Sequence, residues 1–230
     1  IRKEGGVMSG LYMGKRLSRG NLYRQDGKIF EKRILPEEGF SVAFGVLVDN
    51  SGSMTTEDRI GQARKAALVL YEFCRSLSIP ITVYGHSTCS VFFNGSYREG
   101  VAMYSFAEFD SVDGKDHLRI QGMGSSQCNR DGLALRFMGK HLAKREEEVK
   151  ILTLISDGSP YAVNYGGETA KADLRMAKQE LHKMGVTLFS AAIGDDREVI
   201  EDIYGDSFLN ISDLRTMPQK LAALFLRYIR

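Results

Sequence analysis

Val42-Ala-Phe-Gly-Val-Leu-Val-Asp-Asn-Ser-Gly-Ser-Met54 decides how the chain folds. Residues 42–48 show no polar alternation and are rich in β-branched and aromatic side chains, as in a central parallel strand covered on both faces. The run ends in Asp49, Ser51 and Ser53 on a tight turn that contains glycine. Thr55, Thr56 and Asp58 follow, and residues 59–77 are amphipathic, so the turn lies between a strand end and a helix start. One carboxylate and two hydroxyls offer oxygen ligands only, a set that hard, octahedral Mg²⁺ prefers. The plainer alternative is an N-capping turn, in which Asp and Ser side chains bind the free N–H groups of the helix start.

Residues 150–156 repeat the buried-strand pattern and end in Ser156-Asp157-Gly158. In a doubly wound parallel sheet, ligands gather outside the carboxyl ends of the strands, where strand order reverses. An Asp at the tip of each of two such strands can converge on one ion. Taken alone, Asp157-Gly158 is more often just a turn at a strand end.

The remaining pattern alternates strand and helix. Residues 81–85 give a second buried strand after Pro80, residues 90–93 a third at an edge, and residues 106–126 a surface loop whose Asp110, Asp113 and Asp116 are too sparse for an EF-hand. Residues 131–145 form the central helix. Residues 168–184 place Leu174, Ala177, Leu181 and Met184 on one helical face, with Gly185 as the stop. Strands are expected at 187–193 and 207–211, and a closing helix at 217–229 with Pro218 in its first turn. Asp195 and Asp196 lie at a strand's carboxyl end near the expected ion, but helix initiation before Arg197 explains them at least as well, and they are not placed among the direct ligands. Before residue 40, Asp26-Gly27 between semi-apolar flanks reads as a β-hairpin. The expected organisation is an extension over residues 1–39 and a doubly wound, mostly parallel α/β domain over residues 40–230.

Leu47-Val-Asp-Asn-Ser-Gly-Ser-Met54, Asn129-Arg-Asp-Gly-Leu-Ala-Leu135 and Ile151-Leu-Thr-Leu-Ile-Ser-Asp-Gly-Ser-Pro160 together resemble a von Willebrand factor A (VWA) domain with a metal-ion-dependent adhesion site. The resemblance covers about residues 41–230. More narrowly, the three motifs are similar to the A domains of cobalt-chelatase subunits and nitric-oxide-reductase activation proteins. That resemblance implies a domain at the C-terminal end of a longer protein, working with a MoxR-like AAA+ ATPase on a client metalloenzyme. It also implies a ligand set. Ser51 and Ser53 bind Mg²⁺ (or Mn²⁺) directly, while Asp49 and Asp157 act mainly through bound water and by orienting the serines. The last ligand is usually a threonine. Counting back from Ala134-Leu135, its place holds Asn129, whose amide oxygen can also ligate Mg²⁺. Asp131, two residues on, is the rival ligand, and a direct Asp131 makes the site more anionic and less attractive to an acidic partner.

Composition narrows the class. A chain of 230 residues with 43% hydrophobic and 26% charged residues is ordinary for a globular protein. A net charge of +2 argues against a general nucleic-acid surface. No apolar run is long enough to span a bilayer, and the first residues lack a signal peptide's apolar core. The first residue is Ile1 rather than Met, so an excised fragment is expected. Cys74, Cys89 and Cys128 show no Cys-x-x-Cys pair, which favours a reducing, cytoplasmic setting over disulfides or zinc.

Enzymatic readings fail on particular residues. A haloacid-dehalogenase-type phosphatase needs Asp-x-Asp after its first strand, and Ser51 holds the second place. No Gly-x-Ser-x-Gly elbow is present, and Gly10-Leu-Tyr-Met-Gly14-Lys15 is one residue short of a phosphate loop. His86, His117, His141 and His182 lack paired metal-ligand spacing. The expectation is therefore a non-enzymatic, Mg²⁺-dependent interaction domain whose ion accepts a partner's Asp or Glu. The alternative is an Mg²⁺-dependent phosphohydrolase on a similar sheet.

Overall fold

The computed structural model describes residues 6–13, 16–23, 25–34, 41–111, 113–158, 160–193, 204–205 and 208–210. Asp195, Asp196 and the helix expected at 217–229 lie outside them. The chain divides into two compact units, Ile1–Ser41 and Val42–Arg230.

In the first unit, β1 (Gly6–Leu11), β2 (Arg16–Leu17) and β3 (Phe30–Ile34) form an antiparallel sheet in the order β1-β3-β2. The hairpin read at Asp26-Gly27 takes another form. Asp26 Oδ1 accepts the Lys28 N–H at 3.1 Å and Gly27 has φ +75°, so the turn closes on itself. The hairpin is wider than a two-residue turn: β2 and β3 pair antiparallel through Leu17↔Phe30, and the Ser18 N–H donates to Ile29 O at 2.8 Å, so the connection 18–29 contains Asp26-Gly27.

The second unit is built on a six-stranded sheet. Its strands are β4 (Val42–Asp49), β5 (Ile81–Phe93), β6 (Ser96–Ala107), β7 (Val149–Ser156), β8 (Val186–Ala192) and β9 (Phe208–Asn210), in the order β6-β5-β4-β7-β8-β9. All pairings are parallel except β5 with β6. The chain leaves β4 to one side for β5 and β6, then returns to the other for β7, which makes the β4/β7 boundary the switch point. Every residue of β4 is buried, as its unbroken apolar run requires.

Among the described residues, four helices cover this sheet: α1 (Arg59–Ser76), α2 (Asp116–Gln121), α3 (Asp131–Ala143) and α4 (Gly167–Lys183). Ala43 and Leu47 of β4 join Leu135, Leu142, Leu174 and Leu181 of α3 and α4 in one core cluster. Gly45 lies between them in the alternation, and a Cβ there would stand 2.8 Å from Leu142 Cδ1 and 3.1 Å from Leu152 Cδ1. Its missing side chain lets α3 approach. By the same period of two, Asp49 falls on the α3 side of the sheet.

Two expectations are corrected here. Residues 90–93 are the continuation of β5 rather than a separate strand, because His86-Ser87-Thr88-Cys89 contains no breaker. The true next strand is β6, reached through Asn94-Gly95, both at positive φ (+49° and +77°), a tight hairpin turn. The surface loop expected over 106–126 begins inside β6 and contains α2, which is anchored by Asp116: its Oδ2 accepts the Tyr71 hydroxyl at 2.9 Å.

Candidate metal centre

Asp49 and Ser156 end the two strands at the switch point, and the Val48↔Ile155 register sets them side by side. Three loops meet above them. In loop one, the Ser51 N–H donates to Asp49 Oδ1 at 2.7 Å, and the Ser51 and Ser53 hydroxyls lie 3.0 Å apart. Neither hydroxyl caps a helix. Ser51 precedes the short 3₁₀ segment Gly52–Asp58 without a side-chain capping bond, and Asp58 makes none before α1. The capping alternative therefore does not describe the turn.

Loop two is fixed to loop one by backbone. Gly52 N–H donates to Gln127 O at 2.8 Å and Ser126 N–H to Asn50 O at 2.6 Å, while the Asn50 amide donates to Gly124 O. Asn50 lies so close over β5 that a Cβ at Gly85 would come within 2.1 Å of its Oδ1. Asn129 then joins all three loops. Its Oδ1 accepts the Tyr161 N–H at 2.8 Å, and its Nδ2 donates to Asp49 Oδ2 at 2.8 Å and Asp131 Oδ1 at 3.1 Å. Because a backbone N–H can only donate, the Tyr161 contact assigns the amide orientation. The amide oxygen is thus engaged with backbone, and the NH₂ bridges two carboxylates. Asp131 occupies the first turn of α3, where the helix dipole favours a negative group.

In loop three, the Ser156 hydroxyl donates to Asp49 Oδ2 at 3.4 Å and accepts the Gly158 N–H at 3.1 Å. Asp157 Oδ2 lies 3.4 Å from Arg59 Nη1 at the start of α1. His86, opposite Asp49 on β5, sits with Nε2 3.4 Å from Asp131 Oδ1.

Asp49, Ser51, Asn129, Asp131, Ser156, Asp157 and His86 are all buried, and Ser53 is exposed. The electrostatics follow. Burial, reinforced by the charge of Asp157, pushes the Asp49 carboxyl up to about 7, against the opposing bond from the Ser51 N–H. Burial and then the charges of Asp49 and Asp157 hold Asp131 well above the ordinary carboxyl range. Burial lowers His86 to about 3, so its contact with Asp131 is that of a neutral imidazole and no ion pair. Three acids therefore share a buried pocket beside the partly exposed Arg59, an arrangement whose like charges a divalent cation would offset.

The donor set fits such a cation. Among the described residues no group of three or more His, Cys, Asp or Glu is placed to hold a metal ion by those side chains alone. The 3.0 Å between the two serine oxygens matches the edge of an octahedron with bonds of ~2.1 Å, the length Mg²⁺ demands.

No family model matches the chain. Its sequence is similar to the uncharacterized protein YojO of Bacillus subtilis, 26% identical over 205 residues that make up 86% of this chain and 31% of that protein. It is also similar to Protein NorD of Brucella melitensis, 29% identical over 145 residues, 60% of this chain and 22% of that protein. The chain thus spans less than a third of either relative's length. In three dimensions it resembles the vWF domain of the pili tip protein Mfa5 from Porphyromonas gingivalis, with a TM-score of 0.55, 10% identity, and 83% of this chain and 97% of that one covered. A von Willebrand factor type A structure from Catenulispora acidiphila gives a TM-score of 0.52 at 15% identity, covering 84% and 43%. The fold is that of a VWA domain.

Within the VWA fold, the sequence motifs supplied Asp49, Ser51, Ser53, Asn129, Asp131 and Asp157, and all six sit at the three meeting loops. Four other participants are not among the site residues expected from sequence. Asn50 and Ser156 lie inside the quoted motifs beside the named ligands, Arg59 opens the amphipathic stretch after the turn, and His86 lacks paired metal-ligand spacing. His86 becomes part of the site only through the Asp49↔His86 register. No helix among the described residues is long and apolar enough to cross a membrane.

Proposed function

We propose that Val42–Arg230 is a non-enzymatic protein-interaction domain that binds Mg²⁺, with Mn²⁺ as a substitute, at the meeting of its three loops and uses the ion to take a carboxylate from a partner. The observation that carries this reading is the serine pair: two hydroxyls 3.0 Å apart beside the buried Asp49, Asp131 and Asp157. When bound, the ion supplies Lewis acidity toward a partner's Asp or Glu. Ser51 and Ser53 hold it directly. Asp49 fixes the Ser51 backbone, and Asp157 and Asp131 supply balancing charge. The Asn129 amide group orients Asp49 and Asp131 through its two N–H groups, while its Oδ1, which accepts the Tyr161 N–H, keeps a second lone pair for the ligand role expected from sequence.

The partner class is a MoxR-like AAA+ ATPase or the metalloenzyme client on which it acts. The similarity to NorD and the motif resemblance to nitric-oxide-reductase activation proteins and cobalt-chelatase subunits support that class. Pull-down of the cognate ATPase from the native host is expected to succeed with Mg²⁺ and to fail with chelator or with Asp49→Ala. Recovery that ignores both treatments, or phosphatase turnover with Mg²⁺ or Mn²⁺, contradicts the reading.

A further inference from the structure

Beyond the carboxyl edge of the sheet, β5 and β6 leave their neighbours and continue as a two-stranded hairpin. β4 accompanies β5 only to the Asp49↔His86 pair, whereas the β5–β6 ladder runs on to Phe93↔Ser96. At about 3.3 Å per residue, β5 extends roughly 20 Å past the level of Asp49.

One face of this hairpin looks toward the loops of the ion site. Tyr84 packs on Phe137 of α3 with centroids 5.7 Å apart, and His86 lies beside Asp131. The same parity carries Thr88, Ser90 and Phe92, opposite Val101, Glu99 and Tyr97. Contacts bear this out rung by rung. The Thr88 N–H donates to Cys128 O at 2.7 Å, and the Cys128 N–H donates to Thr88 Oγ1 at 3.1 Å. Glu99 accepts Arg130 Nε at 2.7 Å and the Val163 N–H at 3.1 Å. On the next rung, the rings of Phe92 and Tyr97 meet with centroids 5.2 Å apart.

The base of this wall is braced and its top is bare. Phe92 is 63% and Tyr97 77% exposed, and in the β7–α4 loop Tyr161 and Val163 are 71% and 63% exposed. Tyr161 and Val163 belong to the segment whose backbone holds Asn129 and Glu99. Large apolar side chains fixed in water around a polar centre mark a contact surface, and a backbone already ordered loses little entropy on binding.

We infer that Phe92, Tyr97, Tyr161 and Val163 form the apolar half of a docking face whose polar half is the ion site, and that its occupant is a protein segment presenting one Asp or Glu flanked by large apolar side chains. The inference rests on the ion-site reading above. The two ends define the occupant: a hard cation takes a carboxylate, and a tilted aromatic pair takes apolar groups. The opposite hairpin face, with Val91 and Phe93 and with Arg98 lying 5.5 Å over the Phe93 ring, stays outside the contact. A bilayer or a second copy gripping the tip would use both faces.

The test begins by panning phage-displayed random dodecapeptides against the chain in Mg²⁺. The enriched peptides are then titrated by fluorescence anisotropy against folded Phe92→Ser/Tyr97→Ser and Val91→Ser/Phe93→Ser variants. Enriched sequences are expected to combine Asp or Glu with large apolar residues. The first variant should weaken binding on the order of tenfold or more and the second leave it unchanged. No enrichment, peptides without an acid, or equal loss in both variants overturns the inference. So does binding of phosphatidylserine vesicles, or dimerisation in sedimentation, that both variants abolish. Binding that needs Mg²⁺ and Asp49 but ignores Phe92 and Tyr97 sinks this inference alone, whereas binding that needs the aromatic pair but ignores chelator sinks the ion-site reading.

Discussion

Replacing both hydroxyls, as Ser51→Ala with Ser53→Ala, is expected to weaken Mg²⁺ binding by at least about a hundredfold while the circular dichroism spectrum stays unchanged. The two oxygens are 3.0 Å apart and bond to each other rather than to backbone, so their loss removes ligands without uncapping a helix. Ser53 is exposed, and Ser51 keeps its backbone bond to Asp49 Oδ1 in the variant. Calorimetric titration decides the matter. Full affinity in the double variant would leave the serines as a structural turn and shift the ion, if any, to the carboxylates.

Asp131→Asn is expected to stabilise the ion-free protein and weaken Mg²⁺ binding at the same time. In the folded chain Asp49 and Asp131 hold their protons to higher pH than they do unfolded. A native state that binds more protons loses stability as pH rises, here between the ordinary carboxyl range and about 7. The carboxyls lowered by ion pairing, such as Glu99 and Glu147, act in the opposite sense at more acidic pH, and His86, kept neutral by burial, acts in the opposite sense up to its ordinary value of 6.5. From about pH 6.5, above the range in which His86 opposes the trend, to pH 8 in chelator, the melting temperature of the wild type should therefore fall. In Asp131→Asn the fall should be smaller, with a gain at pH 8 of about 2 kcal/mol, or roughly 4–8 °C, from one fewer buried charge. Added Mg²⁺ should recover the loss in the wild type by binding only the folded state, and less so in the variant. A wild-type melting temperature that rises across this window would remove the buried-charge argument.

The two predictions draw on different layers of legibility. β4, β7 and their Asp-bearing ends could be read from sequence because strands buried on both faces lose all polar alternation, and because hydroxyl and carboxylate chemistry is local to five residues. β6 could not be read in the same way. Ser96–Ala107 is an edge strand, partly exposed along most of its length, and its side chains carry neither an apolar run nor clean alternation. The one usable signal was Asn94-Gly95 between Phe93 and Tyr97, a hairpin turn in composition. α2 is six residues long, too short to establish a helical period.

The site divides along the same line. Residue types at Asp49, Ser51, Ser53 and Asp157 announce oxygen chemistry by themselves. The part played by Asn129 depends on which end of its amide meets the Tyr161 N–H, thirty-two residues away in sequence. His86 and Asn50 depend on strand register and on a glycine at position 85 that leaves space for the Asn50 side chain. Pairings across the sheet of this kind leave no trace in the local spacing of residues.

The central claim, that one divalent ion binds where the three loops meet, is tested most directly by adding Mn²⁺ to isotopically labelled protein and following paramagnetic broadening of the backbone amides. Residues 50–53, 127–131 and 156–158 should lose their signals first and together, with Mg²⁺ restoring them. Broadening that begins instead among Glu108, Asp110, Asp113 and Asp116, or that spreads without preference over the surface, would contradict the account.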